Sequence, residues 1–223
     1  MHIHQQKYFE IIKETSAVKS TLVAVSKTKP VEAIQELYNL GQRDFGENYV
    51  QELVDKQAQL PQDIRWHFIG HLQSNKVKYI APFVHLIHGI DSFRLLKEVN
   101  KQAEKNNRVI DVLLQIHIAR EETKFGLDEN EAAEIFTTKA NELVELQNIR
   151  ITGLMGMASF SDDKNVVRDE FKSLKRIFDQ YAQQSTSNCR LQTLSMGMSG
   201  DYQMALEEGS NMIRIGSLLF GSR

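Results

Sequence analysis

Eight short apolar runs rich in Val, Ile and Leu alternate along this chain with longer, more polar stretches of helical period. That alternation is the pattern of βα units around a parallel sheet, because a strand covered on both faces reads as a continuous apolar run and each crossover needs a helix. The runs fall at residues 22–26, 44–46, 66–70, 84–89, 112–118, 151–155, 191–195 and 212–215, the second being short. Helices are expected over about 31–40, 48–60, 73–81, 92–106, 128–147, 164–184 and 201–208. Pro30 opens the first and Gly41 closes it, as a proline-start, glycine-stop helix requires. Ala132, Ile135, Phe136, Leu143 and Leu146 form a one-sided stripe over 128–147, which is a face that lies on a sheet. Almost nothing follows the eighth run, so the last helix is absent or tiny, and the segment 5–18 is expected to cover that flank.

Eight βα repeats allow a closed barrel or an open doubly wound sheet. The unusual residues favour the barrel, because they gather just after the C-terminal ends of the strands, where barrel proteins place their functional loops. Lys27, Glu47-Asn48, His71 and Asp91 follow strands one to four; Lys124-Phe125-Gly126 and Met157 follow strands five and six. Residues 195–199 and Gly216-Ser217 follow strands seven and eight. The fold class is therefore a (β/α)8 TIM barrel. With 223 residues, 41% of them hydrophobic, and only 3 prolines, the chain reads as a single domain over 1–223.

Charge narrows the partners. With 27 basic and 29 acidic residues the formal net charge is -2, which creates no field to gather nucleic acid or anionic lipid. No apolar run is long enough to cross a bilayer, and no apolar h-region opens the chain. Cys189 is the only cysteine, so no disulfide framework or cysteine-based zinc cluster forms, which fits a reducing compartment. The expectation is a cytoplasmic monomer whose partner is a small molecule.

Three segments carry chemistry. In the segment 22–30, a buried strand aims the Lys27 amine at the barrel mouth beside a second cation, Lys29; desolvation and a like charge both favour the neutral, nucleophilic amine. A lysine snorkelling at a strand end is the plainer reading. The segment 194–201 runs from a strand through a turn rich in hydroxyls and glycine into a helix, which suits a phosphate; an ordinary helix capped by Ser199 or Asp201 would look the same. In 211–217, Arg214 interrupts an apolar strand, a costly placement unless the guanidinium meets a ligand or a structural ion-pair partner, and Gly216 permits close backbone approach. An amine, a phosphate cradle and a guanidinium match the aldehyde, phosphate and ring nitrogen of pyridoxal 5'-phosphate (PLP).

From about residue 20 to its end the chain closely resembles the pyridoxal phosphate homeostasis (YggS/PROSC) family, whose barrel is similar to the N-terminal domain of alanine racemase. The resemblance rests on Ala24-Val25-Ser26-Lys27-Thr28-Lys29-Pro30, on the segments 45–52 and 66–76, on Gly153-Leu154-Met155, on Ser195-Met196-Gly197-Met198-Ser199 and on Arg214-Ile215-Gly216. It implies Lys27 as the Schiff-base lysine and Arg214 as the partner of the pyridine nitrogen. It also implies Ser195, Ser199, Gly216 and Ser217 around the phosphate, Asn48 near the ring, and Met155 and Met157 as walls. Asn211, where a threonine is common, and Gly156 depart from the family pattern. The family is described as cytosolic and without robust enzymatic activity, acting in vitamin B6 balance, with PLP-dependent apo-enzymes as conceivable recipients.

Arg214 also argues for binding without turnover. A guanidinium keeps its proton, so the pyridine stays unprotonated and drains a carbanion poorly. Racemases with this arrangement add a tyrosine from a further β domain, and none of the six tyrosines here can be assigned that role. Two rivals remain open: an amino-acid racemase or related PLP enzyme completed by dimerisation, and a Schiff-base aldolase with no cofactor. The histidines suggest no metal: His2 and His4 are terminal, His85, His88 and His117 lack carboxylate spacing, and His67 and His71 flank a strand end.

Overall fold

The computed structural model describes residues 3–121 and 125–221. His2 and Lys124, both singled out above, lie outside them. The eight strands close into one parallel barrel in chain order: β1 (Thr21–Val25), β2 (Asp44–Glu47), β3 (Arg65–Phe68), β4 (Leu86–Ile90), β5 (Ile110–Ile116), β6 (Ile149–Gly156), β7 (Cys189–Ser195) and β8 (Met212–Ile215). β8 closes onto β1 with Thr21 beside Met212 and Ala24 beside Ile215. The thinnest seam joins β7 to β8, where only Ser195 and Met212 are in register. Asn211 reinforces it: its Oδ1 accepts from Leu194 N at 2.7 Å and its Nδ2 donates to the Gln192 carbonyl at 2.7 Å. The departure at 211 is thus a side-chain rivet between two poorly paired strands.

Alternation along the strands divides the core in two. Leu22, Ala24, Phe45, Phe68, Ile87, Leu114 and Ile213 face the helices in one continuous cluster, while Val23, Leu86, Leu113, Met155 and Met212 meet inside the barrel. Each of these side chains larger than alanine contributes about 1.5–3 kcal/mol on burial.

The helices obey their apolar spacing. In α5 (Phe93–Lys105) Leu95, Leu96, Val99 and Ala103 are buried, and the Ser92 side chain caps the start by accepting from Leu95 N. In α8 (Lys164–Ala182) Val167, Phe171, Leu174, Ile177 and Tyr181 form the buried stripe behind an Asp163 cap. α1 (Gln5–Ala17), α2 (Val31–Asn39) and α3 (Val50–Gln57) follow the expected order, and the helix expected over 73–81 divides into a 3-10 turn, Ser74–Lys76, and α4 (Val77–Ile80).

The single helix expected over 128–147 is instead two, α6 (Glu129–Phe136) and α7 (Ala140–Val144). Between them the hydroxyls of Thr137 and Thr138 bond back to the carbonyls of Ala133 and Glu134, at 2.7 and 3.3 Å, and β-branching adds its own strain. After α9 (Tyr202–Glu207) and β8 comes only α10 (Ser217–Phe220), and His4 N donates to the Leu219 carbonyl at 2.8 Å, so the N-terminal segment does cover that flank. Among the described residues no helix is long and apolar enough to cross a membrane.

Candidate functional site

At the C-terminal ends of the strands a cavity of about 430 Å³ brings together Lys27, Asn48, Ser199, Arg214, Gly216 and Ser217, with Met157, Met198 and Phe160 as apolar wall. Seven of the nine site residues that the resemblance implies therefore meet. Met155 and Ser195 do not line it. Both point inward one step lower in the barrel, Met155 among the apolar cluster of the interior and Ser195 fully buried beneath Arg214. On β6 and β7 the residues past the rim, Met157 and Ser199, reach the cavity.

The loop bearing Lys27 is held from behind. Ser26 N donates to the Gly46 carbonyl at 3.0 Å, and the Ser26 hydroxyl donates to Glu47 Oε1 at 2.6 Å. Thr28 sits at φ +63°, a left-handed conformation costly for a β-branched residue, and its N–H donates to Glu52 Oε1 at 2.5 Å. Lys56 ties these groups together, its Nζ reaching the Ser26 carbonyl at 2.7 Å, Glu47 at 2.7 Å and Glu52 at 2.6 Å. Burial raises the Glu47 carboxyl, and the Lys56 charge opposes it. Lys29, the second cation, also lines the cavity, and its Nζ donates to the carbonyls of Phe220 and Gly221, at 3.2 and 3.1 Å, tying the loop to the end of α10. Sequence reasoning missed this clamp. Its visible trace is the i, i+4 pair Glu52 and Lys56 on α3.

Arg214 is 4% exposed. Its Nη1 donates to the Ser195 carbonyl at 2.9 Å and hydroxyl at 2.7 Å, and its Nη2 to the Gly156 carbonyl at 3.0 Å. These partners are neutral, so the ion pair left open above is not how this guanidinium is satisfied. Burial pulls its pKa down to about 10, against the attraction of Asp201, and it remains a cation at neutral pH. A Cβ at Gly156 would lie 2.7 Å from Leu174 Cδ2 and 2.9 Å from Ile118 Cδ1, side-chain ends that would have to shift.

On the far wall Gly216 N donates to Ser199 Oγ at 3.3 Å, and α10 begins at Ser217. The turn before α9 offers fewer free N–H groups than expected, because Asp201 Oδ1 already accepts from Met198 N at 2.6 Å. Asn48 Oδ1 is buried with no protein partner. An amide oxygen so placed on a cavity wall calls for a donor from a ligand.

Two of the histidines meet inside the barrel, beside a carboxylate. His67 and His88 are buried, 2.9 Å apart through Nδ1 and Nε2, and His67 Nε2 lies 3.0 Å from Asp44 Oδ1. The carboxylate comes from the adjacent strand and not from local spacing. Asp44, His67 and His85 bring ligand atoms within 4.8 Å of one another at the opposite end of the barrel from Lys27. Burial alone would raise the Asp44 carboxyl; hydrogen bonds from Arg65 and His67 outweigh it and hold it well below the usual carboxylate range.

Residues 6–223 match the family model described as "Alanine racemase, N-terminal domain". A pyridoxal phosphate homeostasis protein from Aquifex aeolicus is 43% identical over 203 residues, covering 91% of this chain and 86% of that protein. The solved structure of PipY from Synechococcus elongatus with PLP bound superposes with TM-score 0.81 at 36% identity, covering 91% of this chain and 93% of that one. An alanine racemase from Clostridium difficile shares the fold at TM-score 0.76 and 15% identity, covering 100% of this chain and 61% of the racemase.

Proposed function

We propose, from the premise that the chain belongs to the alanine racemase N-terminal-domain family and, within it, to the pyridoxal phosphate homeostasis proteins, that it binds PLP at the mouth cavity as a Schiff base on Lys27 and serves intracellular vitamin B6 balance. The observation that carries the reading is the convergence of Lys27, Arg214 and the unpartnered Asn48 oxygen on one cavity whose wall also carries the hydroxyls of Ser199 and Ser217 and the apolar Met157 and Met198. PLP brings an electrophilic aldehyde on an electron-poor ring.

Lys27 would hold the aldehyde carbon through its Nζ as the neutral amine, the aldehyde oxygen being released as water. Asn48 Oδ1 would accept a hydrogen bond from the bound group. Arg214 would donate to the pyridine nitrogen a proton that it does not release. Ser199, Gly216 and Ser217 would take the phosphate through hydroxyls and the first N–H groups of α10. Met157, Met198 and Phe160 exclude water from the ring without closing over it, since Phe160 is fully exposed. An open mouth suits reversible loading more than turnover. The same reading makes the protein a cytoplasmic monomer that holds cofactor for PLP-dependent apo-enzymes.

The test is colour. Wild-type protein mixed with PLP should develop a visible absorption band that survives desalting, and Lys27→Ala should not. A Lys27→Ala protein with the full band, or a colourless wild type, would overturn the reading; steady racemisation across an amino-acid panel would replace binding by catalysis.

A further inference from the structure

A line of polar side chains crosses the interior of the barrel from the mouth to the opposite face. Arg214 Nη1 lies 2.7 Å from Ser195 Oγ, Ser195 Oγ 3.2 Å from His88 Nδ1, His88 Nε2 2.9 Å from His67 Nδ1, and His67 Nε2 3.0 Å from Asp44 Oδ1. Ser195 and His88 are fully buried, and His67 is 1% exposed. The five residues come from five different strands, and all sit at inward-facing positions.

The two ends give this line a direction. Arg214 can only donate. Asp44 can only accept, because Arg65 donates Nε and Nη2 to its two oxygens, at 2.7 and 2.5 Å, and keeps it ionised. With a donor at one end and an acceptor at the other, one arrangement of two neutral rings gives every link a proton. Ser195 accepts from Arg214 and donates its hydroxyl to His88 Nδ1. His88 then carries its proton on Nε2 and gives it to His67 Nδ1, and His67 carries its proton on Nε2 and gives it to Asp44. Between neutral rings, a reversed histidine would set two lone pairs, or two protons, against each other in a site without solvent, at the cost of an unmade buried hydrogen bond.

We infer that Asp44, His67, His88 and Ser195 form a one-way hydrogen-bond chain, both rings neutral and protonated on Nε2, that positions the Arg214 guanidinium in the mouth cavity. Ser195 and His88 are positioning residues for Arg214. The link from Arg214 to cofactor rests on the proposed PLP reading; the chain itself does not. A divalent cation at Asp44, His67 and His85 would compete for the same end of the chain, but it would need the Nε2 lone pair of His67 and an Asp44 oxygen that Arg65 already holds.

The test is a two-bond 15N–1H correlation spectrum of the ligand-free protein with labelled histidine, which reports which ring nitrogen carries the proton. Both His67 and His88 should appear as neutral Nε2–H tautomers at pH 7. Ser195→Ala should leave both tautomers as they are, because the Asp44 end of the chain is untouched, and PLP affinity should fall roughly tenfold, the loss of one hydrogen bond to a charged group. An Nδ1–H tautomer in the wild type, unaltered affinity in Ser195→Ala, or added Zn2+ moving the His67 and His85 resonances together would each overturn the chain. Failure of PLP to bind at all, with the tautomers as assigned, would overturn only the cofactor reading.

Discussion

Lys56 Nζ lies 2.7 Å from the backbone carbonyl oxygen of Ser26, the residue immediately before the lysine proposed to carry the cofactor. A side chain from α3 thus fixes the backbone from which Lys27 projects, and it does so while neutralising Glu47 and Glu52.

Removing that ammonium strands a buried carboxylate. Lys56→Met should destabilise the protein by about 3–5 kcal/mol, the usual cost of breaking one side of a buried pair, with the midpoint read from urea denaturation. Lys56→Met combined with Glu47→Gln should recover a good part of the loss. Equal destabilisation in the single and double variants would show that Glu47 is not what Lys56 balances.

Asn48 makes a smaller and more local prediction. Asn48→Ala should fold with wild-type stability, since its Oδ1 has no protein partner to lose, yet weaken PLP binding by roughly 5–30-fold, the equivalent of about 1–2 kcal/mol for one buried hydrogen bond. An absorbance titration gives the affinity; an unchanged value would remove Asn48 from the site.

Acid should act first through the barrel interior. Burial, above all, pushes the His88 pKa well below its ordinary value, and the Arg214 charge adds to it. The unfolded chain therefore binds a proton that the native state refuses, so the His88 contribution is present above about pH 6.5 and is lost as pH falls from there, at up to about 1.4 kcal/mol per pH unit. Asp44, also depressed, begins to contribute loss only below about pH 4. Denaturation midpoints measured from pH 7 to pH 5 should decline in the wild type and flatten in His88→Gln; parallel slopes would contradict this.

Packing at one glycine is equally exposed to test. A Cβ on Gly153 would collide with the Thr193 carbonyl of the neighbouring strand, where the β6–β7 register slips. Gly153→Ala should lower stability by about 1–3 kcal/mol or more, because backbone cannot yield as a side chain does. A thermal midpoint within a degree of wild type would mean the strands part there at no cost.

The barrel and the mouth were legible in the sequence for a simple reason: strand cores and post-strand loops are contiguous segments, and their apolar period and chemistry can be read residue after residue. Lys27, Asn48 and Ser199 follow runs that announce their own strands, and Arg214 stands within one. The polar chain was not legible, because its links lie in register rather than in sequence. His67 and His88 are 21 residues apart and meet only because β3 pairs with β4, and Asp44 joins them through β2. Reading alternate positions of every strand together would have shown Asp44, His67, His88, Ser195 and Arg214 all facing inward, a polar line through an interior expected to be apolar. The break between α6 and α7 was written in the paired threonines 137 and 138, whose local hydroxyl bonds compete with the helix, but the apolar stripe on either side masked it.

The central claim is most directly tested by loading the protein with PLP, reducing with borohydride and mapping the modified peptide by mass spectrometry. The account predicts the phosphopyridoxyl mass on Lys27 within the segment 20–29, near one per chain. Modification at another lysine, or spread over many, would contradict it.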